Sequence, residues 1–144
     1  MRMIPGGEMV AGGARKEVKL LVVDDHSEHF DQIRAFADMY SSQFAIECKL
    51  AQDKEEAQEV MDSWHPSVVL VDVHLISDAL SLIQEISHKG ASVIAVSQVR
   101  IPELAQTAHT FGAVGCLTKS DNPDDVEHLM GYIASIATSS VISH

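Results

Sequence analysis

The 144-residue sequence has no apolar run near the ~20 residues that a membrane-spanning helix needs, and its first 17 residues lack the apolar stretch of a secretory signal. A cytoplasmic protein without a membrane span is the expectation. Basic residues are scarce. Ten Lys plus Arg stand against 21 Asp plus Glu, the formal charge is −11, and no segment concentrates the bases. Phosphate contacts need a positive face, so this domain is not expected to bind nucleic acid directly. The only cysteines, Cys48 and Cys116, lie far apart and outside any Cys-x-x-Cys pattern. Structural zinc and dithiol redox chemistry are therefore not signalled, and both are expected to be small buried apolar residues. No glycine-rich phosphate loop follows the first apolar run, which argues against a small ligand-binding or enzymatic domain.

What is present is a chain long enough for one domain with a full core, 46% apolar, with two runs of the same design. Residues 68–75 read Val-Val-Leu-Val-Asp-Val-His-Leu, and residues 18–25 read Val-Lys-Leu-Leu-Val-Val-Asp-Asp. Each is an aliphatic stretch of the kind buried on both faces of a sheet, and each ends in acid. Side by side, two such strand ends make an acidic pocket.

The rest of the chain alternates strand and helix. Residues 1–17 carry four glycines and no periodicity, and read as a flexible tail or cloning remnant. Phe30, Ile33, Ala37 and Tyr40 recur at helical spacing after the first strand. Residues 44–50 follow as a half-exposed edge strand. Asp53 with Glu56 resembles a capping box ahead of an apolar stripe of Ala57, Val60, Met61 and Trp64, with Trp64 expected in the core. His65-Pro66 stops that helix. A third helix carries Leu82, Ile83 and Ile86 and ends at Gly90. Residues 92–96 form a fourth strand, 102–111 a fourth helix and 112–117 a short fifth strand. Asn122-Pro123-Asp124-Asp125 then opens a fifth helix that runs to about Ala137. Five β-α units with crossovers too short for anything but helices predict an α/β fold: one open five-stranded parallel sheet with helices on both faces. Ligands of such sheets sit outside the carboxyl ends of the strands, where Asp24, Asp25 and Asp72 all fall.

Ser97 follows the fourth strand and Lys119 the fifth, so three carboxylates, one hydroxyl and one ammonium share one rim. That inventory suits phosphoryl transfer to a carboxylate. Clustered Asp side chains relieve their repulsion by holding a hard divalent ion such as Mg²⁺, and the metal and a lysine neutralise phosphoryl oxygens while one carboxylate attacks. A hydroxyl that bonds the new acyl phosphate makes a contact that exists only after transfer.

At these residues the chain resembles the receiver domains of bacterial two-component response regulators. The resemblance rests on Leu-Leu-Val-Val-Asp-Asp-His, Val-Val-Leu-Val-Asp-Val-His-Leu, Val-Ile-Ala-Val-Ser and Gly-Ala-Val-Gly-Cys-Leu-Thr-Lys, in that order. It implies a single flavodoxin-like doubly wound domain with strand order 2-1-3-4-5 and five helices, over residues 18–138, with 139–144 as a tail. It further implies that Asp72 is the phosphoacceptor and Asp25 a direct Mg²⁺ ligand, with Asp24 assisting through water and the His74 backbone carbonyl completing the set. Ser97 would be the switch hydroxyl, and Lys119 would pair with Asp72 and later with its phosphoryl group. The implied partner is a histidine kinase or phosphotransfer protein, and the module is a signalling phosphoacceptor rather than a classical enzyme. No output domain follows the fifth helix, so a stand-alone or an excised receiver is expected.

The departures are specific. Leu75-Ile76 stands where the family has Met-Pro, and Ser77-Asp78-Ala79-Leu80 lacks the usual Asp-Gly. Cys116 takes the place of a Tyr or Phe, and Gln98 that of a small residue. Gln98 is expected to narrow access to the phosphoryl site, and the altered loop and Cys116 leave open a pseudo-receiver that works as a phosphorylation-independent docking module. His26 and His29, three apart, read as exposed residues on a polar helix face, with a transition-metal pair as the sharper alternative. His65, His88, His109 and His128 read as surface residues. Residues 130–143 carry no charged side chain and read as a packed helix whose outer face could also meet a second subunit, giving a homodimer through the fourth and fifth helices.

Overall fold

A computed structural model describes residues 16–39, 44–74, 76, 78–98, 102–119 and 122–142. Leu75, Ser77 and the glycine-rich residues 1–15 lie outside them. Ten elements alternate strictly: β1 (Lys16–Val23), α1 (Ser27–Met39), β2 (Phe44–Ala51), α2 (Lys54–Trp64), β3 (Val68–Asp72), α3 (Ala79–His88), β4 (Ser92–Ser97), α4 (Pro102–Thr110), β5 (Gly115–Thr118) and α5 (Pro123–Ile142). The strands form one parallel sheet in the order β2-β1-β3-β4-β5, the expected 2-1-3-4-5. β1 begins two residues inside the stretch read as a tail. β5 starts three residues later than the 112–117 reading, and α5 continues past Ala137 to Ile142.

Alternate residues of each central strand serve two cores. Leu21, Val23, Val69, Val71, Val93 and Ala95 meet Ala57, Met61, Leu82, Ile83, Ile86 and Ala108 of α2, α3 and α4. On the other face Leu20, Val22, Leu70, Ile94 and Val96 meet Phe30, Ile33 and Ala37 of α1 and Leu129, Met130 and Ile133 of α5. β3 is buried at all five positions. Each aliphatic side chain removed from water in this way contributes about 1.5–3 kcal/mol, so the strand that ends in Asp72 is firmly held.

The helix boundaries follow their local chemistry. Asp53 caps α2 by accepting the Glu56 N–H at 2.8 Å, while the Glu56 carboxylate accepts from Gln52 N–H, one residue earlier than a regular capping box. His65 closes α2 in the left-handed region (φ 54°), its N–H on the Met61 carbonyl. Gly90 turns the chain after α3 at φ 96°, a conformation open to glycine at little cost. Asn122 caps α5 through the Asp124 N–H at 3.0 Å.

Two packing expectations are corrected. Trp64 is half-buried and belongs to neither core, because α2 ends there and its ring meets the Lys49 and Lys19 ammonium groups at 4.9 and 5.6 Å from the centroid. Cys48 and Cys116 are half-buried free thiols rather than fully buried ones, and burial pushes the Cys48 thiol up to about 11. Among the described residues no helix is long and apolar enough to cross a membrane.

Candidate functional site

The carboxyl ends of β1, β3, β4 and β5 bring Asp24, Asp72, Ser97 and Lys119 to one rim. Main-chain bonds set the depth of each. Asp24 N–H donates to the Ala51 carbonyl at 3.0 Å, Val73 N–H to Val96 at 2.9 Å, and Lys119 N–H to Ser97 at 2.6 Å. Asp24, Asp72 and Ser97 are 1%, 2% and 3% exposed, so the sheet carries three polar side chains almost out of water.

The two acids are held alike. Each carboxylate accepts the N–H two residues on, His26 to Asp24 Oδ1 and His74 to Asp72 Oδ1, both at 2.9 Å. Each gives its other oxygen to Lys119, whose Nζ donates to Asp24 Oδ2 at 2.7 Å and to Asp72 Oδ2 at 3.1 Å. A turn closed by an Asp side chain is a short-range device, which lets both acids keep their orientation although they lie 48 positions apart in sequence. Lys119 was expected to pair with Asp72; it bridges both acids. Burial alone would raise the Asp24 carboxyl, but the facing His29 ring and the hydrogen bonds from Lys119 and the His26 N–H outweigh it and bring the pKa down to about 2. Burial would likewise lower the Lys119 ammonium, and the bonds to Asp24 and Asp72 outweigh it and raise it.

Asp25, by contrast, points outward at 44% side-chain exposure and meets His26 Nδ1 at 2.8 Å. Ligand atoms of Asp24, Asp25 and His26 lie within 4.8 Å of one another, a grouping able to close on one cation. The oxygen-rich donor set fits a hard ion of the Mg²⁺ class, since carboxylates rather than imidazole or thiolate predominate.

Two residues enter the site by a route that the sequence reading missed. His29 is 7% exposed, not a surface residue, and its Nδ1 faces Asp24 Oδ2 at 3.7 Å. The signal was present, because 29, 33 and 37 share the buried face of α1. The rings of His26 and His29 thus meet different carboxylates, Asp25 and Asp24. His74, expected to act through its carbonyl, also enters through its N–H, which donates to Asp72 Oδ1, and its ring, whose Nε2 lies 2.8 Å from Ser97 Oγ. His65, His88, His109 and His128 are exposed, as read. A cleft of about 430 Å³ opens beside Lys119, lined by His29, Leu117, Asp125, His128 and Leu129 among others.

Comparison with known proteins agrees with this fold. A family model described as the response regulator receiver domain matches residues 20–130. No curated protein matches the chain. Among solved structures, a response regulator from Thermotoga maritima is similar at 21% identity and a TM-score of 0.72, covering 83% of this chain and 98% of that one. The receiver domain of Francisella response regulator 1452 gives 20% identity and a TM-score of 0.73, over 85% of this chain and 98% of its own. An orphan response regulator of H. pylori gives 18% identity and 0.72, over 86% and 99%. At these identities the structures establish the fold, and the family match spans the strands whose ends carry Asp24, Asp72, Ser97 and Lys119. The chain belongs to the response regulator receiver domain family.

Proposed function

We propose that the domain accepts a phosphoryl group on Asp72 from a histidine kinase or phosphotransfer protein in the cytoplasm, and that the acyl phosphate switches a protein-interaction surface. One observation carries the reading: a single lysine, 15% exposed, bridges two almost fully buried carboxylates that the centre of the sheet delivers to the rim. Two acids held this close repel each other, and a fold retains that cost where the acids have work to do.

In the transfer, an Asp72 oxygen attacks the phosphorus of the donor's phosphohistidine, the P–N bond breaks, and the donor imidazole leaves with the electron pair. Lys119 loses one carboxylate partner and gains a phosphoryl oxygen. Asp24 and Asp25, with Asp72 and the His74 carbonyl, would hold Mg²⁺, which when bound supplies charge neutralisation at the phosphoryl oxygens. Ser97, at the end of the adjacent strand, is the hydroxyl that bonds the new group. The surface of α4, β5 and α5 would read the change, as a homodimer or a partner contact.

The altered loop after Asp72 favours a second reading, a receiver that docks without being phosphorylated. Incubation with Mg²⁺ and acetyl phosphate followed by intact mass separates the two. The expected result is one phosphoryl adduct that needs Mg²⁺, falls strongly in Asp25→Asn and is absent in Asp72→Asn. No adduct in the parent under any small donor would establish the docking module instead.

A further inference from the structure

The His74 ring has no part in the chemistry just described, yet it makes a close contact with Ser97. His74 bonds twice across the site: its N–H donates to Asp72 Oδ1 at 2.9 Å, and its Nε2 lies 2.8 Å from Ser97 Oγ. One residue therefore joins the end of β3 to the end of β4. Ser97 is 3% exposed while His74 itself is exposed, so a side chain at the surface holds a buried hydroxyl.

We propose that His74 is a positioning residue, a latch that holds Ser97 in the unphosphorylated arrangement and releases it when Asp72 is phosphorylated. The inference rests on the phosphoacceptor reading. The His74 N–H bond is charge-assisted, because its acceptor is an ionised carboxylate. Phosphorylation turns that carboxylate into an acyl phosphate, whose carbonyl and ester oxygens are weaker acceptors. The anchor of His74 loosens, the imidazole gives up Ser97, and the hydroxyl turns to a phosphoryl oxygen. In the latch the unprotonated Nε2 accepts the Ser97 O–H, so the ring and the phosphoryl group compete for that one proton, and the latch sets how much phosphoryl binding the switch needs. Ser97 N is continuous with β4 and its carbonyl accepts from Lys119 N–H, so a change at this residue reaches the start of the β4–α4 connection and the end of β5 directly.

The test is a double-mutant cycle read at equilibrium. Beryllofluoride, a phosphoryl mimic that seats on a carboxylate, is titrated at saturating Mg²⁺ into the parent, His74→Ala, His74→Gln, Ser97→Ala and His74→Ala/Ser97→Ala, with the Gln98 and Lys119 amide resonances as the signal. His74→Ala should lower the half-saturating concentration about fivefold, the factor that one lost hydrogen bond gives. His74→Gln, whose side-chain amide reaches about as far as Nε2, should return it to within about twofold of the parent. Between Ser97→Ala and the double variant there should be no shift. A midpoint in His74→Ala that is unchanged or higher, or an equal shift in both serine backgrounds, overturns the latch, since a role limited to shaping the loop acts whether or not the hydroxyl is present. Independently of any phosphoryl group, the His74 ring nitrogens should change ¹⁵N shift in Ser97→Ala, and no change overturns the contact itself. A parent that takes neither beryllofluoride nor acetyl phosphate defeats the phosphoacceptor reading and the latch together, whereas an adduct with equal shifts in both backgrounds defeats the latch alone.

Discussion

The two sides of the rim are built differently. On the acid side, Asp24 and Asp72 are almost fully buried, every carboxylate oxygen has a named donor, and Lys119 joins them. On the hydroxyl side, Ser97 meets the ring of an exposed histidine, the next residue Gln98 is exposed, and the neighbouring strand β5 is four residues long and nowhere fully buried. The first arrangement is fixed by the core of the sheet, whereas the second is set by side chains at the surface. On the proposed function, chemistry that needs constant geometry and a switch that needs two positions would fall in different structural regimes.

The contrast is largest at Lys119. Its removal leaves two buried like charges without compensation, so Lys119→Ala should lose about 3 kcal/mol of unfolding free energy at pH 7 in urea titration. A loss below about 1 kcal/mol would mean that the acid side is no more firmly held than the hydroxyl side.

Acid gives a second measure of the same side. The Asp24 carboxyl titrates near 2 in the folded chain against an ordinary 3.8, so its contribution is fully present above about pH 4 and is lost as pH falls through 2. That amounts to about 2 kcal/mol, and Asp24→Asn should show a correspondingly flatter stability profile between pH 4 and 2. Equal slopes in parent and variant would place the acid-sensitive group elsewhere.

The same division governs what the amino-acid sequence discloses. Asp72 is legible because a run of five buried positions leaves a periodic trace, and an acid closing such a run has one place to go. Asp24 and Ser97 follow by the same logic, and with them the parallel sheet, whereas Lys119 closes a short strand that is nowhere fully buried. The His74 ring is different: where a side chain points from a turn depends on backbone angles that no periodicity encodes. His29 is an intermediate case, since its spacing with Ile33 and Ala37 marks it as inward-facing, yet a polar residue in an apolar stripe is easily assigned to the opposite face. Trp64 errs the other way, because an aromatic at helical spacing reads as core until the lysines of two strands are seen to cover it.

The smallest expected effect falls on Gln98, where the hydroxyl side should respond in rate and not in stability. The residue follows Ser97 directly and is exposed, so truncation removes no buried contact and unfolding free energy should stay within about 0.5 kcal/mol of the parent. On the proposed function, a long amide directly after Ser97 would obstruct the approach of a donor and of the water that hydrolyses the acyl phosphate. Gln98→Ala should therefore both gain and lose the adduct faster, by about threefold, which corresponds to a barrier change of only about 0.7 kcal/mol. Adduct formation and decay followed by intact mass would separate the alternatives. Faster rates at unchanged stability place Gln98 in the path to Asp72, while rates no faster than the parent's, or a loss of stability in their place, would show that this side of the rim is also fixed by packing.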